Sequence, residues 1–235
     1  MKKHLLIALT VISSIPALPA FAQPRSSGSF NVGPIATARS TWFLNKNTSD
    51  ADETEQAYEP SFGYGYGVNL GSYFNDNFGI ELDIFMASYM QKYKGGASYT
   101  LQYHSKTAVK AVDLPLVAVV KANSGSYFEI GGMYSLVNKA NFTMSFDSTK
   151  ITLHDNTNVK TSFNKNNISA VIGFGMEGNL GDQLLLTAGF RFTFGLSDFQ
   201  GVDALGIPYS KYTDAYTTHT ATGGIHLALK YMIEY

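Results

Sequence analysis

Large apolar residues alternate with small or polar ones along most of this chain. In SFGYGYGVNLGSYF, Phe62, Tyr64, Tyr66, Val68 and Leu70 share one parity, with glycine or asparagine between them. Beyond Asn75–Asn77, FGIELDIFM sets Phe78, Ile80, Leu82, Ile84 and Met86 against Gly79, Glu81 and Asp83. NISAVIGFGMEG sets Ile168, Ala170, Ile172, Phe174 and Met176 against Ser169, Gly173, Gly175 and Glu177. LLLTAGFRFTFG sets Leu184, Leu186, Ala188, Phe190, Phe192 and Phe194 against Thr187, Gly189, Arg191 and Thr193. The terminal GGIHLALKYMIEY alternates to its last residue. A period of two is that of a strand with one apolar face and one polar or small face. Three less regular segments, SFNVGPIATARS, AVDLPLVAVVKA and SYFEIGGMYSL, bring the predicted strands to eight.

The connections sort by length. Asn75–Asn77, Ala122–Gly125 and Gly178–Asp182 read as tight turns; Asn45–Pro60, Gln91–Lys106, Asn138–Asn166 and Ser197–Thr217 read as long polar segments. Short and long alternate, as in membrane barrels with short periplasmic turns and longer extracellular loops. The face chemistry agrees. A secreted β-sandwich, the rival reading, would carry charge on its outer face, and glycine there would weaken strands without benefit. Inside a narrow barrel glycine makes room for larger neighbours. Hydrocarbon leaves no partner for unpaired backbone groups, so a spanning sheet must close. The prediction is an all-β, eight-stranded, antiparallel up-and-down transmembrane β-barrel. Pro115 lacks a ladder donor and is expected at a bulge or a ladder gap.

The N-terminus supplies a destination. Lys2 and Lys3, an apolar run from Leu5 to Ile15, and Ala20 and Ala22 about an A-F-A site have the layout of a cleaved signal peptide over residues 1–22. A retained anchor helix is the alternative. Residues 23–235 then form the barrel, with no later apolar run near the roughly 20 residues of a membrane helix. Losing Lys2 and Lys3 takes the 17 basic residues to 15 against 18 acidic, a net charge of about −3. That is no footprint for nucleic acid. The chain has no cysteine, hence no disulfide or thiolate site.

Parity sends Arg39, Glu81, Asp83, Asp113, Lys121, Glu129, Glu177, Arg191, His226, Lys230 and Glu234 into the lumen. An eight-stranded barrel has interior space only for its own side chains. Charges of both signs there predict a plugging ion-pair network and no passage of sizeable solutes.

The segments VDLPLVAVVKA, YFEIGGMYSL after a short turn, VIGFGMEG, and LLLTAGFRFTFGLSD before the last strand give a resemblance by their order and spacing. The mature chain resembles the bacterial outer-membrane protein β-barrel domain family (the "porin family", PorT-like), along essentially its whole length. The resemblance implies an eight-stranded outer-membrane barrel, loops extracellular and termini periplasmic. PorT's part in type IX secretion is not carried over, because no short motif separates that member from the rest. The last strand also looks like the signal read by the barrel assembly machinery, through Leu229, Tyr231, Ile233 and the terminal aromatic Tyr235. Phenylalanine is the usual last residue. Tyr235 equally suits the interfacial aromatic belt.

Catalytic constellations are thin. Glu81 and Asp83 share a face but follow a short turn, far from the long loops; an ion-pair role with Arg191 or Lys121 is expected. His154–Asp155, and Asp214 with His219, resemble protease pairs without an opposing acidic pair. His104–Ser105 is adjacent, so the two side chains point to opposite faces. The histidines show no metal spacing, and FGYGYG lacks the lysine and helix of a phosphate loop. No catalytic residue, metal or cofactor is expected. The expected contacts are outer-membrane lipid or lipopolysaccharide, the assembly machinery, and a membrane-complex protein through loop 138–166. There Phe142, Met144 and Phe146, then Ile151 and Leu153, could form a hairpin that adds a strand to a partner or packs over the mouth. The leading function is a closed structural, adhesive or complex-forming barrel. The alternatives are an accessory barrel of a secretion (type IX, PorT-like) or uptake complex, and an outer-membrane hydrolase.

Overall fold

The computed structural model describes residues 28–46, 57–96, 102–146, 152–200 and 216–234. They form strands β1 (Ser29–Asn45), β2 (Ala57–Glu59), β3 (Phe62–Tyr73), β4 (Phe78–Gly95), β5 (Tyr103–Lys121), β6 (Ser126–Phe146), β7 (Thr152–Asn158), β8 (Asn166–Asn179), β9 (Leu184–Gly195) and β10 (Thr218–Glu234), with one 3-10 turn at Lys160–Ser162. Eight strands close an antiparallel ring in the order β1, β3, β4, β5, β6, β8, β9, β10. The seam joins β10 back to β1, from Ser29 opposite Glu234 to Asn45 opposite Thr218. Closure removes the free edges that an open sheet would present. Outside the ring, β2 pairs with β4 and β7 with β6.

Side-chain direction follows parity. Phe62, Tyr64, Tyr66, Ile84, Met86, Ile172, Phe174, Phe190, Phe192, Phe194, Ile225 and Leu227 are exposed on the outer face. Asn31, Asn69, Asp83, Asp113, Glu129, Thr187 and Lys230 are buried inside. The tight turns lie at one end, over 74–77, 122–125 and 180–183.

The long segments are shorter than the sequence suggests, because the strands run on into them. The expected loop at Asn138 is instead a β-bulge. Lys110 pairs with Lys139 and Ala111 with Val137, so Asn138 is the extra residue. The bulge shifts the buried positions from odd (Met133, Ser135, Val137) to even (Ala140, Phe142, Met144). A parity break of this kind reads in sequence as a strand end, whereas β6 continues to Phe146. Gln91–Lys106 is likewise mostly strand, in β4 and β5. Strands β4, β5 and β6 have 18, 19 and 21 residues and β1 and β10 have 17 each, against 12 in β3 and β9 and 14 in β8, so the wall is uneven, with its longest strands at β4–β6. Where β8 stops pairing, at Asn166 opposite Leu136, β7 covers the edge of β6 from Asn158 opposite Asn141 outward. Pro115 stays in register with Met133, but the β4–β5 ladder is interrupted between Leu82–Leu116 and Phe85–Asp113. A missing N–H thus costs the ladder on one side only.

Close strand approach fixes certain glycines. A Cβ at Gly67 would run into the carbonyl oxygen of Ile84, whereas one at Gly178 meets nothing within 4 Å. Gly67→Val is expected to destabilise the barrel by about 1–3 kcal/mol through overpacking. Gly178→Ala should leave it unchanged. The check is the fraction of refolded protein that keeps the fast-migrating folded band on unboiled gels; equal fractions would contradict the assignment.

Candidate functional site

The lumen fills in layers, starting at the tight-turn end. Lys121 Nζ donates to both Glu177 oxygens, at 2.8 and 2.7 Å, and lies 3.9 Å over the Tyr73 ring. Lys230 Nζ donates to Glu81 at 2.6 Å and stands 3.8 Å from Glu177. The Tyr73 hydroxyl donates to the same Glu81 oxygen at 2.6 Å, and Thr187 donates to Glu177 at 3.3 Å. Four strands meet here through charged groups, because Lys121 closes β5, Glu177 lies on β8, Glu81 on β4 and Lys230 on β10.

The middle layer centres on Arg191 of β9. Its Nη1 donates to Asp83 at 2.5 Å, while Nε and Nη2 donate to the two Glu129 oxygens at 2.5 and 2.9 Å. One guanidinium therefore serves two carboxylates, one by a bidentate fork. Asn69 ties the layers together by donating to Glu81 at 2.9 Å and Asp83 at 2.6 Å. Beside them the Tyr127 hydroxyl lies 2.7 Å from His226 Nε2. Glycine supplies the room: a Cβ at Gly173 would strike the Glu129 side chain, and one at Gly189 the Tyr127 hydroxyl. Above this, Arg39 donates to Asp113 at 3.1 Å, stacks 4.2 Å over the Tyr89 ring, and Tyr89 donates to Asp113 at 2.6 Å.

The long-loop end is sealed by aromatic packing. Phe43 of β1 is fully buried, with ring centroids 5.2 Å from Phe199 and 6.3 Å from Phe163, which lie 5.1 Å from each other. Tyr93, Val109, Val137 and Ala140 belong to the same cluster. Phe163 and Phe199 stand outside the ring strands. They are held by a bridge from Phe163 to Gln200, by Phe199 N donating to Thr218 O at 2.7 Å, and by Asn164 Nδ2 donating to Asp198 O at 2.7 Å. Two interior cavities lie in the charged layers, of about 10 Å³ beside Glu81 and Lys121 and about 20 Å³ beside Arg39 and Thr193. Each has space on the order of a single water.

Glu81 is held by Lys230 and Asp83 by Arg191, while Lys121 takes Glu177. The described lumen holds four basic residues, Arg39, Lys121, Arg191 and Lys230, against five carboxylates, Glu81, Asp83, Asp113, Glu129 and Glu177. Sharing at Arg191 accommodates that difference. Leu229, Tyr231 and Ile233 are exposed on the outer face of β10. Ala20, Ala22, Ile151, Tyr235, Asp214 and the side chains of Leu153, His154 and Glu234 lie outside the described residues. His219 Nδ1 lies 2.9 Å from the Gly195 carbonyl and its ring is stacked on Phe194 at 5.7 Å. His104 Nδ1 lies 3.2 Å from Glu59 Oε2 on the outer face, and Ser105 is buried on the other. No cluster of three or more metal-ligating side chains occurs among the described residues. The expected hairpin is present as β6–β7, but Phe142 and Met144 are buried against Tyr103 and are not an exposed apolar edge. Sequence reading overlooked the neutral partners Asn69, Tyr73, Tyr89 and Tyr127, which inward parity would have located. It also overlooked Phe163 and Phe199, for which no periodic signal exists.

A closed ring with lipid-compatible side chains outside and a paired polar filling inside defines a transmembrane β-barrel. The chain belongs to the outer membrane protein beta-barrel domain family, whose model matches residues 21–201. It is an outer-membrane β-barrel protein. No curated protein sequence matches it. Among solved structures it is similar to OprG from Pseudomonas aeruginosa (14% identity, TM-score 0.45, 92% of this chain and 100% of that one). It is also similar to Neisserial surface protein A (9% identity, TM-score 0.39, 89% and 100%) and to the outer membrane protease OmpT from Escherichia coli (8% identity, TM-score 0.42, 94% and 100%).

Removing Arg191 leaves Asp83 and Glu129 buried without their cation. Arg191→Met should destabilise the barrel by about 3–5 kcal/mol. Adding Asp83→Asn and Glu129→Gln should recover most of that loss. Urea unfolding in lipid vesicles, followed by the single tryptophan, Trp42, measures both; a triple variant no more stable than the single one would contradict the pairing.

Proposed function

We propose that this protein is a closed outer-membrane barrel that acts through its surface, as a structural, adhesive or complex-forming component, and that it is neither a diffusion pore nor an enzyme. The observation that carries this reading is the double seal. Ion pairs fill the lumen from β4, β5, β6, β8, β9, β10 and β1, and the Phe43–Phe163–Phe199 cluster covers the long-loop end. The two cavities among the ion pairs, each on the scale of one water, support a lumen that does not pass solutes. The long-loop end is proposed to face outward from the cell and the termini the periplasm, since short turns are the periplasmic ones in such barrels.

Against hydrolysis stands the state of the candidate groups. His219 is engaged with Gly195 and Phe194, and Glu81 and Asp83 are neutralised by Lys230 and Arg191. The outward row Leu229, Tyr231 and Ile233 on the last strand fits recognition by the barrel assembly machinery. A membrane-complex partner, secretion or uptake assemblies included, would meet the β6–β7 hairpin above the bilayer through its polar outer surface, because Phe142 and Met144 are turned inward.

In planar bilayers the purified protein is expected to give no stepwise conductance above the bare membrane. The variant Phe43→Ala/Phe163→Ala/Phe199→Ala should stay silent as well, since the ion-pair layers remain. Stable, large single-channel steps from the wild type would overturn the closed-barrel reading.

A further inference from the structure

The outer face of the tall wall carries lysines in two separate rows. Outward rows run across β4, β5 and β6. The row Met86, Val112 and Leu136 is followed by Ser88, Lys110 and Lys139, and then by Met90, Ala108 and Asn141. The row after that is Lys92, Lys106 and Thr143, with Lys94 beyond them on β4. Lys92 is directly opposite Lys106, and Lys110 directly opposite Lys139. Directly opposed like charges weaken a sheet, yet here two such pairs share one face.

This clustering is specific to one side of the barrel. Among the described strands, every other basic residue (Arg39, Lys121, Arg191 and Lys230) is buried in the lumen. None of the five ammonium groups forms an ion pair with a described residue. The acidic residue in register with them, Glu59 opposite Lys92, is engaged with His104.

We infer that Lys92, Lys106, Lys110 and Lys139 bind the phosphate groups of outer-leaflet lipid headgroups. The lysines share the outward face with Met86 and Leu136, Lys139 across the Asn138 bulge, so their occupant is continuous with the leaflet. Tyr64, opposite Ser88 in the first lysine row, is an exposed aromatic of the kind that marks the headgroup level. Successive outward rows are about 7 Å apart along a strand, so the two lysine pairs reach from the headgroup level into the layer above it. Lysine serves phosphate as a point charge on a long, adaptable stem. The leaflet rests on the proposed outward orientation of the long-loop end; the phosphate chemistry does not.

The test is a binding isotherm in detergent by native mass spectrometry, with bisphosphorylated lipid A and its dephosphorylated form as probes. A lysine near an anionic lipid surface contributes about fivefold. The variant Lys92→Gln/Lys106→Gln/Lys110→Gln/Lys139→Gln is therefore expected to bind lipid A at least tenfold more weakly. Lys160→Gln/Lys165→Gln, outside the patch, should bind as the wild type does, and the dephosphorylated lipid should bind weakly to all. If the quadruple variant does not fold, Lys110→Gln/Lys139→Gln substitutes, with a loss of about fivefold or more. Binding within twofold of wild type, or equal binding of the dephosphorylated lipid, would overturn the inference. Displacement by heparin at equal anion concentration would also overturn it, in favour of a soluble polyanion. Orientation is read separately, by labelling Lys160 and Lys165 in intact cells with an impermeant amine reagent. Absence of label there would overturn the leaflet, whatever the isotherms show.

Discussion

Everything in this barrel depends on backbone hydrogen bonding in a medium that offers no partners. Each unpaired N–H or C=O in hydrocarbon costs several kcal/mol, so a spanning sheet must return to its first strand. The β1–β10 seam does this along almost the full length of both strands, from Ser29 to Asn45. The two prolines inside ring strands fit the same constraint. Pro34 and Pro115 each interrupt pairing toward one neighbour, while the other neighbour, β3 or β6, stays in register. A gap confined to one side is tolerable; a missing seam is not.

Closure around eight strands then dictates the interior. Side chains fill the interior of an eight-stranded ring, so inward charges lose water and must be compensated within the protein. The solution is distributed across strands far apart in sequence. Arg191 serves Asp83 and Glu129, Lys230 serves Glu81, Lys121 serves Glu177, and Arg39 serves Asp113. Among the neutral donors, Asn69 takes the second oxygens of Glu81 and Asp83, and Tyr73 shares a Glu81 oxygen with Lys230. Toward the long-loop end the filling changes from charged to aromatic, and chain outside the ring strands supplies two of the sealing rings, Phe163 and Phe199. The lumen is thus a core in the ordinary sense, polar in its middle and apolar at one end.

The outside is less uniform than the inside. Strands β4, β5 and β6 run well past the 9–11 residues that a spanning strand requires. Their extensions turn Tyr93, Tyr103, Phe142 and Met144 inward and lysines outward. The same alternation that is apolar-out within the bilayer becomes basic-out above it, because the solvent facing that parity has changed.

The alternation in sequence by itself determined the strands, their inward and outward faces, the closed barrel and the lumenal charges. These follow from a period of two and from the chemistry of the two faces, both local properties. It also placed the three tight turns to within a residue or two. It did not reveal that β6 continues beyond Asn138, since a one-residue bulge reverses parity and mimics a strand end. Nor could it assign Glu81 to Lys230 in preference to Arg191 or Lys121, because partners are set by ring register between strands as distant as β4 and β10. The aromatic seal and the facing lysine pairs were likewise decided only by tertiary structure. Phe163 and Phe199 carry no periodic signal, and Lys92 meets Lys106, and Lys110 meets Lys139, only through strand pairing that brings separate stretches of chain side by side.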